Sequence, residues 1–229
     1  MTTTPTKTLA LFDLDHTLLP IDTDYEWVEW LSRNNLAGDP AEVERRNQEI
    51  MDKYDAGVLT IEESAAFVLS FLAMHNPFDL MKYHECFMAE VVRPNMTDKA
   101  FELVDQHLRK GDLCCLVSAT NSFVIYPVAR AFGFEHIIGT TPEYINGRYT
   151  GRFTGVASYK EGKVTRVEEW LANLNHAFDD FEKVYFYSDS INDLPLLEKA
   201  THPIATNPSP DLRKIAEQKN WEIIDLFKQ

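Results

Sequence analysis

The sequence predicts an α/β fold: a Rossmann-like three-layer core, with a parallel sheet between helices, carrying an inserted helical cap. Three observations predict it. Short apolar runs each stop at a polar residue: Thr8–Phe12 at Asp13, residues 113–117 at Ser118, and residues 184–187 at Ser188-Asp189. Helical patterns alternate with these runs, as crossover helices alternate with the strands of a parallel sheet. A stretch of roughly residues 20–92 reads as helix throughout, far more than one crossover requires.

The run over Thr8–Phe12 is too short for a buried helix and reads as a strand covered on both faces. In the helical stretch, Asp39-Pro40 is an N-cap followed by proline at the first helical position. Thr60 with Glu63 has the capping-box spacing, and Pro77 and Pro94 mark further breaks. After the strand at 113–117, weaker strand candidates lie at 136–138 and 221–224. Between them, Asn146-Gly147 inside 143–150 is a hairpin signal and suggests a second, smaller insertion. Residues 163–175 read as a helix, and Ser209-Pro210-Asp211 opens the last one. The expected division is a core of residues 1–19 and 93–229, with 20–92 as a cap over the carboxyl edge of the sheet.

Lysine and arginine number 22 and aspartate and glutamate 36, a net charge of −14. That sign excludes sequence-independent binding to nucleic-acid phosphates and argues against stable association with an anionic membrane. The helical stretch alone holds 15 acidic and 5 basic side chains, so it carries most of the acidity. Cys86, Cys114 and Cys115 form neither a disulfide framework nor a CxxC metal pair, which fits a reducing compartment. The run 1–7 lacks the cationic start and apolar stretch of a signal peptide. No apolar stretch is long enough to span a bilayer. The expected location is the cytoplasm.

The chemistry gathers at strand ends. Asp13 and Asp15 follow the first strand at i and i+2, on one side of an extended segment with Leu14 turned away. Alone, this pair is a weak signal that more often marks a solvated turn, since a chain this acidic supplies it by chance. Asp189 and Asp193 follow another strand, and ligands of open α/β sheets bind at carboxyl ends. Four carboxylates in one volume need protonation or a cation, and an all-oxygen cluster suits Mg²⁺. Ser118, with the backbone amides that follow it, can donate to an anionic oxygen. Lys163, opening a helix, can neutralise a phosphoryl group.

The order Asp13-Leu14-Asp15-His16-Thr17, then Ser118, then Lys163, then Asp189-Ser190-Ile191-Asn192-Asp193 resembles the haloacid dehalogenase superfamily. The helical insertion directly after the first motif and the segment Leu116-Val117-Ser118-Ala119-Thr120 resemble its phosphoserine-phosphatase-like branch. The resemblance implies an Mg²⁺-dependent phosphomonoesterase. It makes Asp13 the nucleophile and Asp15 the acid and then the base. The metal would be held by Asp13, the Asp15 carbonyl and Asp189, with Asp193 supporting the metal's water or Lys163. Ser118, Ala119, Lys163 and Asn192 would lie at the phosphate. A phosphotransferase with the same aspartyl-phosphate, or a non-catalytic phosphate-binding module, would show the same motifs.

His16 stands where the superfamily very often has glycine, and would either touch substrate or be solvated. Asp22, nine residues after Asp13, matches the acidic cap residue that holds the substrate ammonium in phosphoserine phosphatases. The expected partner is a small, amine-bearing phosphorylated metabolite of the phosphoserine or histidinol phosphate type. The competing reading places the acidity on outer, solvated helix faces. Arg93, at the hinge from cap to core, is expected either to reach a phosphate or carboxylate or to be structural. Tyr25, Trp27 and Trp30 read as packing within the cap rather than a stacking platform, as do Phe67, Phe71 and Met74.

Overall fold

The structure, a computed structural model, describes residues 8–227. The run 1–7, read above for a signal peptide, lies outside the described residues, as do 228 and 229. The chain begins with β1 (Thr8–Phe12), followed by α1 (Thr23–Arg33), α2 (Pro40–Asp55), α3 (Ile61–Met74) and α4 (Pro77–Phe87). A π-helical turn, Met88–Val92, leads into α5 (Arg93–Asn95) and α6 (Asp98–Leu108). Then come β2 (Leu113–Asn121), α7 (Ser122–Ala131), β3 (His136–Ile145), β4 (Arg148–Thr154) and α8 (Glu161–Asn173). The chain closes with β5 (Lys183–Ser188), α9 (Leu194–Lys199), β6 (His202–Thr206), α10 (Pro210–Lys219) and β7 (Glu222–Ile224).

The sheet runs β4-β3-β2-β1-β5-β6-β7, and every neighbouring pair is parallel except β3 with β4. β1 therefore sits where the order reverses, between β2 and β5, and in such sheets the crevice beyond that point takes the ligand. Alternate residues of β1 enter two different cores, which is why the whole run is apolar. Leu9 and Leu11 pack with Val167 and Leu171 of α8 and with Leu196, Leu212 and Ala216 of α9 and α10. Ala10 and Phe12 face the other way, into an apolar cluster that continues through Val104 and Val124 into Trp27, Leu69 and Phe87 of the inserted helices.

The inserted helices start where their caps predict. The Asp22 side chain accepts from Tyr25 N, Thr60 from Glu63 N and Asn76 from Asp79 N, each satisfying an otherwise unpaired first-turn amide. Trp27 is fully buried and packs against Trp30, His84, Phe87 and Phe123, so the two tryptophans are helix packing, whereas Tyr25 of the same stripe faces a cavity instead. Phe67 and Phe71 are buried too, whereas Met74 is exposed, at the last position of α3. Cys114 and Cys115 lie buried in β2, and burial pushes the Cys114 thiol up to about 12. The hairpin β3–β4 turns at Asn146 and Gly147, with φ of 51° and 80°. Both values are positive, as a two-residue type I′ turn requires. The hairpin does not form a separate insertion: β3 is first a parallel strand of the main sheet and then continues into it. Among the described residues, no helix is long and apolar enough to cross a membrane.

Candidate active site

The Asp13 amide donates to the Tyr187 carbonyl (2.9 Å), extending the β1–β5 pairing one step past the strand. The chain then turns sharply. The Leu14 carbonyl accepts from the amides of Thr17, Leu18 and Leu19, and the Leu14 side chain is buried in the core. His16 has φ of 56°, a left-handed conformation in which glycine is unstrained. The side chain there is exposed at the rim of the cavity. Asn207 braces this turn from behind. Its Nδ2 donates to the carbonyls of His16 (3.1 Å) and Thr17 (3.0 Å), while its Oδ1 accepts from the amides of Leu226 and Phe227.

Asp13 is almost completely buried. Lys163 Nζ donates to its Oδ1 (2.8 Å) and also to Asp193 Oδ2 (2.7 Å), which accepts in addition from Ser188 Oγ (2.7 Å). Burial alone would depress the Lys163 ammonium, but Asp13 and Asp193 outweigh it and raise it above the ordinary lysine value. One cation shared between two buried carboxylates leaves each only partly compensated. Burial therefore raises Asp13, and it pushes Asp193 up to about 6.

Thr17 joins the two ends of the sequence. Its hydroxyl lies 3.3 Å from Asp13 Oδ2 and 3.1 Å from Asp189 Oδ1, and it accepts from the Asp189 amide (3.0 Å). Asp189 is raised well above the usual carboxylate range, by burial first and then by the charges of Asp13 and Asp193. Such an excess of oxygen-borne charge fits a hard divalent cation. No three His, Cys, Asp or Glu side chains among the described residues form a metal cage, but Mg²⁺ takes one or two carboxylates and keeps its waters. Asp13 and Asp189, joined through Thr17, could supply that pair. Asp193, expected beside the metal's water or Lys163, faces Lys163 and Ser188. The Asp15 side chain faces Thr23, Thr120 and Ser118, so its backbone carbonyl is the atom that could join them.

Asp15 Oδ1 accepts from the Thr23 amide at the start of α1 (2.7 Å). Its Oδ2 accepts from Thr120 Oγ1 (2.7 Å) and lies 3.4 Å from Ser118 Oγ. Burial, then the charge of Asp22, pushes Asp15 up to about 6, poised to exchange a proton near neutrality. Ser118, Ala119 and Thr120 sit where the β2–β3 register shifts between Val117 and Asn121, and such irregularities re-aim side chains beside active sites. The Ala119 carbonyl is tied back by Thr140 Oγ1 (2.8 Å). Asn192 lines the same cavity.

The cavity, about 120 Å³, also takes Asp22, Asp24, Tyr25 and Asn47 from the inserted helices. Its far wall is apolar, with Ile50, Met51, Leu59, Ile61, Val68 and Leu69. Arg93 is not brought to it. That side chain is exposed and lines a different groove with Met88 and Tyr126, just after the π-helical turn. Sequence reasoning missed Thr120, Asp24 and Asn121. The first two stand two positions from Ser118 and Asp22, and that spacing was the available signal for Thr120 on its strand.

A model of the haloacid dehalogenase-like hydrolase family matches residues 10–198. The chain belongs to that family. It is 41% identical to the histidinol-phosphatase of Neisseria meningitidis serogroup C (strain 8013), over 96% of this chain and 99% of that one. A solved structure of a protein with unknown function from Bordetella pertussis Tohama I is 57% identical, with a TM-score of 0.94, covering 97% of this chain and all of that one. A substrate-bound phosphoserine phosphatase shares the fold at 20% identity and a TM-score of 0.66, over 97% of this chain and 93% of that one. This family member is accordingly an enzyme of the phosphatase type.

Proposed function

We propose that the protein is an Mg²⁺-dependent phosphomonoesterase acting through an aspartyl-phosphate on Asp13. The observation that carries the reading is the junction of Asp13, Thr17, Asp189 and Lys163, a buried carboxylate with an ammonium and a second carboxylate around it. When bound, Mg²⁺ supplies charge neutralisation of the transferring phosphoryl group. The Asp13 carboxylate attacks phosphorus, and the bond to the ester oxygen breaks. Asp15 gives its proton to that leaving oxygen, which departs as the alcohol. Asp15, now a carboxylate, takes a proton from water as the water attacks the aspartyl-phosphate, restoring Asp13 and releasing phosphate. Thr120 and the Thr23 amide hold the Asp15 carboxyl for both transfers. Lys163, Ser118, the amides around Ala119, and Asn192 face the phosphoryl oxygens. Positioning and charge stabilisation of this kind supply most of the catalysis in phosphoryl transfer.

The substrate is a small phosphorylated metabolite bearing an amine. Asp22 supports this: one carboxylate oxygen caps α1, the side chain lines the cavity, and burial raises its pKa, so a bound ammonium would stabilise its charge. The match to a histidinol-phosphatase along its full length favours the histidinol phosphate type over the phosphoserine type. The test is phosphate release from a panel of small phosphomonoesters with Mg²⁺, with chelator, and with Asp13→Asn. Release should need both the metal and Asp13; turnover that survives chelation and Asp13→Asn overturns the mechanism. In the same panel, Asp22→Asn should lower kcat/KM for amine-bearing esters about tenfold or more relative to p-nitrophenyl phosphate. An unchanged ratio removes Asp22 from recognition.

A further inference from the structure

The connection from β6 to α10 grips both carboxylate-bearing loops of the site from outside the cavity. Asn207, just after β6, donates from Nδ2 to the carbonyls of His16 (3.1 Å) and Thr17 (3.0 Å). Two positions on, the Ser209 amide donates to the Asp189 carbonyl (2.9 Å). Asn207 is itself anchored. Its Oδ1 accepts from the amides of Leu226 (2.6 Å) and Phe227 (3.3 Å), and its own amide donates to the Ile224 carbonyl (2.6 Å). Its φ of 48° is left-handed, a region that asparagine adopts more readily than most residues. Neither Asn207 nor Ser209 lines the cavity, so each acts on it only through the loop it holds.

What this grip fixes is the spacing of Asp13 and Asp189. The Thr17 hydroxyl lies 3.3 Å from Asp13 Oδ2 and 3.1 Å from Asp189 Oδ1, and it accepts from the Asp189 amide (3.0 Å). The carbonyl that Asn207 holds belongs to this same threonine. The neighbouring His16 is left-handed as well, a conformation that persists in a non-glycine residue only where the surroundings enforce it. Mg²⁺ demands near-ideal octahedral geometry, so its affinity is sensitive to where two carboxylates stand. We propose that Asn207 is a positioning residue for the metal pair: through Thr17 it sets the separation of Asp13 and Asp189, and with it the affinity for Mg²⁺. The proposal rests on the Mg²⁺-dependent reading above.

The test titrates Mg²⁺ into the substrate-free protein by calorimetry, with Asn207→Gly and Asn207→Asp beside the wild type. Glycine adopts the left-handed backbone and removes the whole side chain. Aspartate keeps an acceptor for the Leu226 and Phe227 amides and removes only the donor. Both variants should raise the Mg²⁺ dissociation constant about tenfold, as loss of a partner that orients a metal ligand does. In turnover of p-nitrophenyl phosphate, the half-saturating Mg²⁺ concentration should rise in parallel, while KM at saturating Mg²⁺ stays within about twofold. Arg213→Ala separates positioning from general loosening. It breaks the ion pair to Asp225 (2.6 Å) in the same closing segment but spares every Asn207 bond, so the dissociation constant should not move. A wild type that binds Mg²⁺ and turns the ester over, with a dissociation constant unmoved in both Asn207 variants, overturns this proposal alone. An equal rise in Arg213→Ala does the same. A wild type that neither binds Mg²⁺ nor hydrolyses the ester overturns the phosphatase reading and this inference with it.

Discussion

The two ends of the cavity hold buried carboxylates in opposite circumstances. At the sheet end, Asp13 and Asp193 share the Lys163 ammonium, and Thr17 and Ser188 complete their hydrogen bonds. At the helical end, Asp22 and Asp24 have only a backbone amide and an asparagine as donors, and burial raises both. The first arrangement holds a fixed cation of its own, which compensates its carboxylates in part and serves chemistry that must be repeated without reorganisation. The second is left unbalanced, and its balance must come from what enters. Pre-formed charge compensation at the reacting end and a charge deficit at the recognising end are two uses of the same residue type.

The largest way to break this contrast is at Asp13. Asp13→Asn should cut kcat by about 10⁴-fold or more with Mg²⁺ present, as loss of a nucleophile does; a loss below tenfold would leave the balanced end without its central role. Next is the shared cation. Lys163→Met strands two buried carboxylates and should cost about 3–5 kcal/mol of stability by urea denaturation. Adding Asp193→Asn should recover part of that loss, and a Lys163→Met cost under about 1 kcal/mol would show that the ammonium does not compensate the pair. Thr120→Val removes one donor to Asp15 and should lower kcat about tenfold, near the 1.5 kcal/mol of a hydrogen bond to a charged group. An unchanged kcat would mean that Ser118 and the Thr23 amide suffice to hold Asp15.

The smallest effect sharpens the comparison from outside the cavity. His84 Nε2 lies 2.7 Å from the Val124 carbonyl, which can only accept, so that nitrogen carries the proton. Burial holds the His84 pKa below its ordinary 6.5. The folded state therefore prefers the neutral ring. This contribution is fully present above pH 6.5 and is lost as pH falls towards the folded-state pKa, at no more than about 1.4 kcal/mol per pH unit. His84→Gln retains a donor without a titrating ring, so wild type should lose more stability than the variant between pH 7 and pH 5. Parallel stability curves would rule out His84 as the source.

The central strands were legible because burial on both faces demands a run of apolar residues, and each run ends where a functional side chain begins. β6 was not, since Pro203 and the polar His202 and Thr206 shorten its apolar signal. β2 runs past the expected end at residue 117 to Asn121, because the polar Ser118 and Thr120 belong to the strand rather than to a loop. The sequence motifs located Asp13, Asp15, Lys163 and Asp189 together, but spacing cannot say which way a carboxylate points. Spacing left Asp193 open between the metal's water and Lys163, where it is a lysine partner, and Arg93 open between the site and a structural role, where it faces another groove. Asp24 was invisible for the same reason: its partner Asn121 is nearly a hundred positions away.

The asparagine brace behind the catalytic turn carries a consequence for how the enzyme comes into being. Asn207 fastens the His16–Thr17 carbonyls to the amides of residues 226 and 227, so the turn after β1 is tied to positions about two hundred residues further along the chain. During synthesis the nucleophile emerges before Asn207, Leu226 and Phe227, so the turn is braced only once they have followed it.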